Sequence, residues 1–280
     1  MHFIAILLAY SLERTVTLSR NLHWRRIVLR WQQWQTKQTQ IKASSDGQRQ
    51  IANWRQHLVG EVVWAILPAL IIGFSIALLD NFFVSFVVGV LALLATMQCG
   101  AARRAYKRYL SAASQGDSAA CAEHLRQLRR AAGRNDTTSV HGALLWVHLR
   151  YYFAPLFYYA IFGLLGVLLY ATLRDMRHPR SAAWTQLQWW VHWLPTRVMT
   201  FGFLMVGNFS KALPVWLSSI GNTPQNNFQA LLKVADAAEE LTPKHDDDIT
   251  STALTSVALV KRNMLFFIVL LAILTIVGWL

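Results

Sequence analysis

The stretch "LLWVHLRYYFAPLFYYAIFGLLGVLLYATLR", Leu144 to Arg174, determines how much of this chain lies on each side of a membrane. It is apolar enough to enter a bilayer, but it carries Arg150, Pro155, Gly163 and Gly166. Proline and glycine both weaken or interrupt helices. Two arrangements therefore fit: one kinked helix that crosses the membrane, or two shorter helices that enter, turn near the glycines and return.

The composition of the whole chain points to a membrane protein. Of its 280 residues 54% are hydrophobic and only 15% are charged, against about a quarter in soluble domains. The apolar residues form long runs rather than alternating with polar ones, which is typical of helices inside a bilayer. A formal net charge of +13 together with 12 tryptophans is typical of a protein that contacts anionic headgroups.

Three further apolar runs predict spanning helices. Residues 58–79 and 82–99 are separated by the tight turn Asp80-Asn81, so they predict a transmembrane hairpin with a kink at Pro68. Met264 to Leu280 predicts a last span. The apolar run at the N-terminus is about a dozen residues long and too short to span, so we expect a short, partly inserted helix there.

The cations predict the sidedness. They fall into three blocks of nine, in residues 13–57, 99–150 and 174–262, which together hold all 27. Because cations that flank spans mark the cytoplasmic side, and the hairpin at 58–99 returns the chain to its starting side, the first two blocks are cytoplasmic. Only a re-entrant hairpin after residue 150 keeps the third block there as well. The charges therefore favour re-entry over a single kinked span.

The predicted fold is all-α: a polytopic membrane protein with three spanning helices, a re-entrant helical hairpin and cytoplasmic amphipathic helices. Within residues 100–138 we expect two polar helices broken at Ser114–Asp117, and Pro195 is expected to begin a helix. The predicted segments are a short membrane helix with a basic amphipathic segment (1–57), a transmembrane hairpin (58–99), polar helices (100–138), a re-entrant or kinked hairpin with interfacial helices (139–206), a cytoplasmic loop and helix (207–262) and a C-terminal span (263–280).

Motifs for familiar chemistry are missing from the sequence. It contains no G-x-x-x-x-G-K-[ST] phosphate loop. His141 and His148 are two helical turns apart, but no cysteine or carboxylate accompanies them in the sequence, so we predict neither a metal nor a cofactor. No recognition motif accompanies the positive charge, so we expect no nucleic acid partner. The arginines of residues 126–134 either bind a phosphate-bearing group or form a solvated helix surface.

Several phrases closely resemble the AmpE family across the whole chain: "LLAYSLER", "LLWVHLRYYFAPLFYYAIFG", "VHWLPTRV" and "KALPVWLSSIG". The resemblance implies a multi-pass protein of the Gram-negative inner membrane with most loops in the cytoplasm. It also implies a link to the control of β-lactamase, and hence to antibiotic resistance, through sensing or signalling. No chemical reaction is established for the family.

The chain is also distantly similar to the CobD/CbiB membrane enzymes of cobalamin synthesis, in "GRND", "APLF" and "WLPTR". Where those enzymes carry a Glu-Asn pair and an aspartate, this chain has Trp146, Val147 and Arg150. Mg²⁺ requires oxygen ligands, so we expect a non-catalytic relative of those enzymes. The alternatives are an amide synthase of that type, or a scaffold that binds the transmembrane helix of another membrane protein.

The predicted ligand-binding residues are Arg134, Asp136, Arg150, Asp175 and Arg197. All five lie in or beside segments that are similar to those enzymes, and a buried arginine needs a partner because an unpaired charge is costly to bury. Cations outnumber carboxylates in this set. We therefore expect an anionic partner, either a phospholipid headgroup or a small ligand such as a phosphorylated cell-wall intermediate, and a partner membrane protein is the other expected type of partner.

Overall fold

The computed structural model describes residues 2–13, 15, 23–42, 58–79, 81–133, 139–176, 182–221, 226–239, 241 and 249–278. Within these residues the chain forms twelve α-helices, one π-helical turn and no strand, which confirms the all-α prediction. The helices are α1 His2–Leu12, α2 Trp24–Lys42, α3 Leu58–Leu78, α4 Phe82–Met97, α5 Gly100–Ser114, α6 Ser118–Ala132, α7 Val140–His148, α8 Ala154–Asp175, α9 Ala182–Val206, α10 Phe209–Gly221, α11 Asn227–Glu239 and α12 Ile249–Ile276, and the π-helical turn is Leu149–Phe153.

Two stretches of the described chain are long and apolar enough to cross a membrane, Val140–Asp175 and Ser251–Ile276. A third is added if α4 and α5, which are separated by a bend, are counted as one span. By length and composition the described chain therefore has two or three candidate spans, of which the last overlaps the predicted C-terminal span. In α3 the described apolar portion, Val62–Ile76, is shorter than a span.

The last helix begins earlier than the sequence predicted. It starts at Ile249 rather than Met264, so Lys261 and Arg262 lie inside it. The preceding residues include several serines and threonines, and the sequence pattern assigned them to the cytoplasmic segment 207–262. Their hydroxyls instead bond to carbonyls of their own helix, as Thr255 does to Ser251 (2.9 Å) and Ser256 does to Ala253 (2.8 Å).

The described helices belong to two compact units, and each unit combines separate parts of the chain. Unit 1 contains Met1–Gln98, Pro155–Val191 and Leu280, and unit 2 contains Cys99–Ala154 and His192–Trp279. In unit 1, α1 and α2 pack on α4, and α3 contacts α4, whereas their crossing of a membrane as a hairpin stays a prediction. Asn81 begins α4, and its side chain accepts hydrogen bonds from the backbone N–H groups of Phe83 and Val84.

Helix α8 folds back on itself at Gly163. This residue has φ 63° and ψ −148°, a backbone conformation that is essentially restricted to glycine. Beyond it, the ring of Tyr170 stacks on that of Tyr158 with centroids 4.9 Å apart. Twelve residues of straight helix would separate the two by about 18 Å. The stretch therefore turns where the sequence predicted a turn, whereas its re-entry into a bilayer stays a prediction.

The tip of this fold-back is crowded. A Cβ placed on Gly166 would lie 2.5 Å from the carbonyl oxygen of Tyr158, and one placed on Gly163 would lie 2.9 Å from the ring of His2. The His2 ring also packs edge-on against Tyr159, with centroids 5.3 Å apart. The beginning of α1 therefore covers the tip, and glycine is the residue that fits at both positions.

Pro195 lies inside α9 instead of beginning a helix, so this prediction was wrong. Proline has no N–H, so it cannot donate to the carbonyl of Val191 one turn earlier. The hydroxyl of Tyr158 donates to that carbonyl instead, at 2.8 Å. The hydrogen bond lost inside the helix is thus replaced from α8, and α9 continues through the proline.

Pro68 inside α3 shows the same arrangement. The carbonyl that it leaves without a helical donor belongs to Trp64, and the indole N–H of Trp31 on α2 donates to it at 3.0 Å. A buried carbonyl without a donor costs free energy. In both helices, therefore, an aromatic side chain from another helix compensates for the proline.

Candidate anion-binding site

Arg197 is the more deeply buried of the two predicted arginines that the structure describes. It lies on α9 in unit 2, and only 5% of its surface is exposed. Its Nη2 donates to the carbonyl of Ser219, in the last turn of α10, at 2.7 Å. Its guanidinium carbon lies 5.9 Å from the ring centroid of Trp193. The buried Nε and Nη1 atoms have no hydrogen-bond partner within the described chain.

The α9 surface beside Arg197 is polar and fully buried. The hydroxyl of Thr196 donates to the carbonyl of His192 at 2.6 Å, and that of Thr200 donates to the carbonyl of Thr196 at 2.8 Å. The indole of Trp216, on α10, donates to the carbonyl of Arg197 itself. All three of these donors therefore bond to backbone carbonyls. None of the three side chains carries a negative charge that could pair with Arg197.

Further along α9, near Met199 and Gly202, an asparagine of α12 packs against the helix. Asn263 is fully buried, and its Nδ2 donates to the carbonyl of Met199 at 3.2 Å. Its Oδ1 has no hydrogen-bond partner among the described residues. Gly202 makes room for this side chain, because a Cβ there would overlap Oδ1. Buried polar groups in an apolar helical bundle are expensive and mark candidate functional sites.

Arg150 lies in the π-helical turn, and its guanidinium bonds to the end of α6. Its Nη1 donates at 2.8 Å to the carbonyl of Ala132, the last residue of α6. Gly133, which ends that helix with φ 72°, leaves room for the guanidinium, since a Cβ there would lie 2.5 Å from Nη1. A cation on the last carbonyls of a helix is stabilised by its dipole. Arg150 thus caps α6.

Asp175 lies in unit 1, apart from the unit that contains Arg150 and Arg197. Arg174 binds its carboxylate with two hydrogen bonds, Nε to Oδ1 at 3.1 Å and Nη2 to Oδ2 at 2.8 Å. Both side chains are 2% exposed. The sequence did not predict this pair, because neighbours on a helix do not normally face each other. Arg134 and Asp136 lie outside the described residues.

The two histidines do not form a pair. The ring of His148 stacks on that of Tyr152, with centroids 5.2 Å apart. His141 has its Nε2 4.0 Å from a carboxylate oxygen of Asp236, on α11. The sequence offered no sign of that carboxylate, because it lies far along the chain. Among the described residues, no group of three or more His, Cys, Asp and Glu side chains could hold a metal ion.

Trp146 and Val147, which we compared with ligand positions of the CobD/CbiB enzymes on the sequence alone, lie in apolar packing. Trp146 packs against the rings of His192 and Phe228, with centroids 5.4 Å and 5.7 Å away, and it is buried. Val147 is buried beside it. These two side chains are part of the core of unit 2. They supply no oxygen that could bind Mg²⁺.

Comparison with known proteins now decides the family. The sequence model of one family, described as "Regulatory signalling modulator protein AmpE", matches residues 14–280. This chain belongs to the AmpE family. Protein AmpE of Shigella flexneri is 30% identical over 199 residues, which cover 64% of this chain and 69% of that protein. No solved structure matches the chain. The AmpE family is thereby shown, whereas the similarity to the CobD/CbiB enzymes is not.

Proposed function

We propose that this AmpE-family chain is a non-catalytic regulator of the bacterial inner membrane that binds an anionic ligand through Arg197. The bound state would report the condition of the envelope or cell wall to the control of β-lactamase. The name of the family, a regulatory signalling modulator, supports the regulatory part of the proposal. The apolar helices support the membrane location, and the three blocks of cations favour a cytoplasmic position for most loops.

The ligand proposal depends on one observation, the incomplete hydrogen bonding of the buried Arg197 guanidinium. Burying an ionised group costs several kcal/mol unless other groups compensate for the lost hydration. Here the described compensation is one carbonyl and one aromatic ring, with Nε and Nη1 still lacking acceptors. A carboxylate or phosphate oxygen is the acceptor that a guanidinium binds most strongly. An anion at this position would supply the missing hydrogen bonds and the missing charge.

The non-catalytic part rests on the residues around the same interior. The only ionised side chain on the described polar surface of α9 is Arg197. Trp146 and Val147, which we compared with ligand positions of the CobD/CbiB enzymes on the sequence alone, are buried and offer no side-chain oxygen. A site that activates a carboxylate needs oxygen ligands for Mg²⁺ and a base for the amine. The arrangement is suited to binding an anion. A partner membrane protein stays a prediction.

The test compares two arginines that the sequence predicted together. The wild-type chain, Arg197→Ala and Arg150→Ala are purified in mild detergent, and co-purifying lipids and small molecules are identified by mass spectrometry per mole of protein. We expect Arg197→Ala to lose the bound anion by about tenfold or more, the effect of removing a charge-assisted hydrogen bond. We expect Arg150→Ala to retain it, because its guanidinium is used as a helix cap.

Controls separate loss of the ligand from loss of the fold. Size-exclusion profiles and thermal unfolding show whether each variant is intact, and Arg197→Lys keeps the charge but has a different hydrogen-bonding geometry. Partial retention by Arg197→Lys, with loss in Arg197→Ala, would support a specific anion site. Equal amounts of bound anion in all variants would show that the anion binds only to a diffuse basic surface. A wild-type protein that carries no anion would contradict the proposal outright.

A further inference from the structure

We propose that the outer surface of the α5–α6 hairpin docks on the anionic phospholipid headgroups of the membrane that holds the chain. This surface, named the basic surface here, consists of Arg104, Lys107 and Arg108 on α5 and Arg126 and Arg130 on α6. All five side chains are exposed. The inference is independent of Arg197, because it depends on a separate group of residues in unit 2.

The basic surface follows from the amphipathic pattern of the two helices. On α5 its three cations are spaced i, i+3 and i+4, and so share one face. The opposite face, with Ala105 and Tyr109, is buried. Burial of apolar residues against the remainder of unit 2 therefore directs the cations outward.

The second helix completes the surface in the same way. Arg126 and Arg130 are one turn apart on α6, while Leu128 and Ala132 on its other side are buried. Helices α5 and α6 pack closely against each other along the hairpin. The two sets of cations therefore belong to one small structural element, which is exposed on its outer side.

Few carboxylates offset this charge. The hairpin contains only two, Asp117 and Glu123. Asp117 is the N-cap of α6, where its side chain accepts a hydrogen bond from the N–H of Ala120 at 2.9 Å. Glu123 pairs with Arg126 at 3.1 Å, and this pair is solvent-exposed. Five cations against Glu123 leave four uncompensated positive charges on the outer surface.

The chemistry of the surface favours lipid over a protein partner. Stable protein interfaces are built around buried aromatic or aliphatic anchors. From Gly100 to Gly133, a range that the structure describes throughout, no large apolar side chain is exposed. A surface that offers cations without apolar anchors matches the way polybasic segments bind an anionic leaflet. Its position in the chain agrees, since α5 begins three residues after the apolar helix α4 ends.

The experiment measures how close the hairpin lies to the headgroups. The full-length chain, with Cys99→Ala and Cys121→Ala, receives one cysteine at the exposed Ser111 for a fluorophore. It is reconstituted in nanodiscs of phosphatidylcholine alone or with 30% phosphatidylglycerol, each containing a headgroup-labelled quencher lipid. We expect stronger quenching in the anionic discs, and we expect 0.5 M salt to remove the difference because the attraction is screened.

A triple variant tests the residues themselves. Arg104→Gln, Lys107→Gln and Arg108→Gln together should lower the ratio of docked to undocked hairpin by roughly a hundredfold, at roughly fivefold per cation. The matched control makes the same charge change on α2, with Arg25→Gln, Arg26→Gln and Arg30→Gln, and should leave the quenching at Ser111 unchanged. The α5 triple variant must retain the unfolding temperature of its parent to count as evidence.

Two outcomes would overturn the inference. Equal quenching in zwitterionic and anionic discs would show that the basic surface does not recognise lipid charge and is only a solvated helix face. An equal loss of quenching at position 111 in both triple variants would show a general effect of net charge on the whole chain. Quenching that depends on phosphatidylglycerol and on the α5 cations, but not on the α2 cations, supports the inference.

Discussion

The chain builds two helical hairpins of opposite character, the polar α5–α6 hairpin in unit 2 and the apolar hairpin within α8 in unit 1. The polar one takes three residues to turn, Gln115 to Asp117, and caps both helix ends. The apolar one turns at a single glycine, beneath the ring of His2. Backbone groups without partners are costly in an apolar environment and cheap in water. A short turn, which leaves few backbone groups without partners, is what the predicted re-entry into a bilayer requires.

The two turns also differ in what surrounds them. Gly116, at the polar turn, has φ 72° and no atom within 4 Å of the position its Cβ would take. Gly163 has a similar φ but lies against His2. Both turns thus use a glycine for its positive φ, but only at Gly163 would a side chain also collide with a neighbouring residue.

The largest expected effect concerns the side of the membrane on which each hairpin begins and ends. Single cysteines at Gln115, Thr223 and Asp80 are probed in intact cells with an impermeant thiol reagent, in a chain without Cys99 and Cys121. Positions 80 and 223 lie outside the described residues. Because the basic blocks mark the cytoplasm, we expect labelling at 80 and none at 115 or 223.

The same measurement can separate the two arrangements of the apolar hairpin. If the hairpin returns to the side from which it came, position 223 shares the protection of position 115. Strong periplasmic labelling at 223 would mean that the stretch from Leu144 to Arg174 crosses the membrane. Labelling after the cells are permeabilised is the control that each cysteine can react.

The second prediction compares the two turn glycines. Gly163→Ala should lower the free energy of unfolding by about 3 kcal/mol, because the backbone conformation costs about 1–3 kcal/mol for other residues and His2 must also move. Gly116→Ala should cost about 1–2 kcal/mol, from the backbone alone. Denaturant unfolding of the purified chain in detergent measures both values. Equal losses of unfolding free energy would show that the contact with His2 adds no cost to that of the backbone conformation.

The smallest expected effect concerns the hydrogen bond that joins the apolar hairpin to α9. Tyr158→Phe removes the hydrogen bond to the carbonyl of Val191 and should cost about 1 kcal/mol. Pro195→Ala restores the backbone N–H that satisfies the same carbonyl within the helix. On that background the tyrosine substitution should cost measurably less. A double-mutant cycle provides the measurement, and identical costs in both backgrounds would contradict this account of Pro195.

Local patterns in the sequence were enough to predict the all-α fold, the break between the two polar helices and the turn near Gly163. Each depends on neighbouring residues: runs of apolar side chains, the "SQGD" turn, or a glycine that permits an unusual φ. The same patterns placed Pro195 at a helix start and Met264 at the beginning of α12. The first prediction failed because the hydroxyl of Tyr158 satisfies the carbonyl that the proline leaves without a donor. The second failed because serine and threonine can be accommodated within a helix, where their hydroxyls bond to carbonyls of their own helix.

The roles of the arginines depended on residues far away in the chain. Arg150 and Arg197 both lie in largely apolar stretches of sequence, and nothing near either one there shows how its guanidinium is used. Packing brings one helix-end carbonyl to each, that of Ala132 to Arg150 and that of Ser219 to Arg197, and it buries Arg197 more deeply, with Nε and Nη1 lacking acceptors among the described residues. The carboxylate of Asp236 reaches His141 in the same way. Hydrogen bonding is short-ranged, so which donors remain unsatisfied is determined only when distant segments pack together.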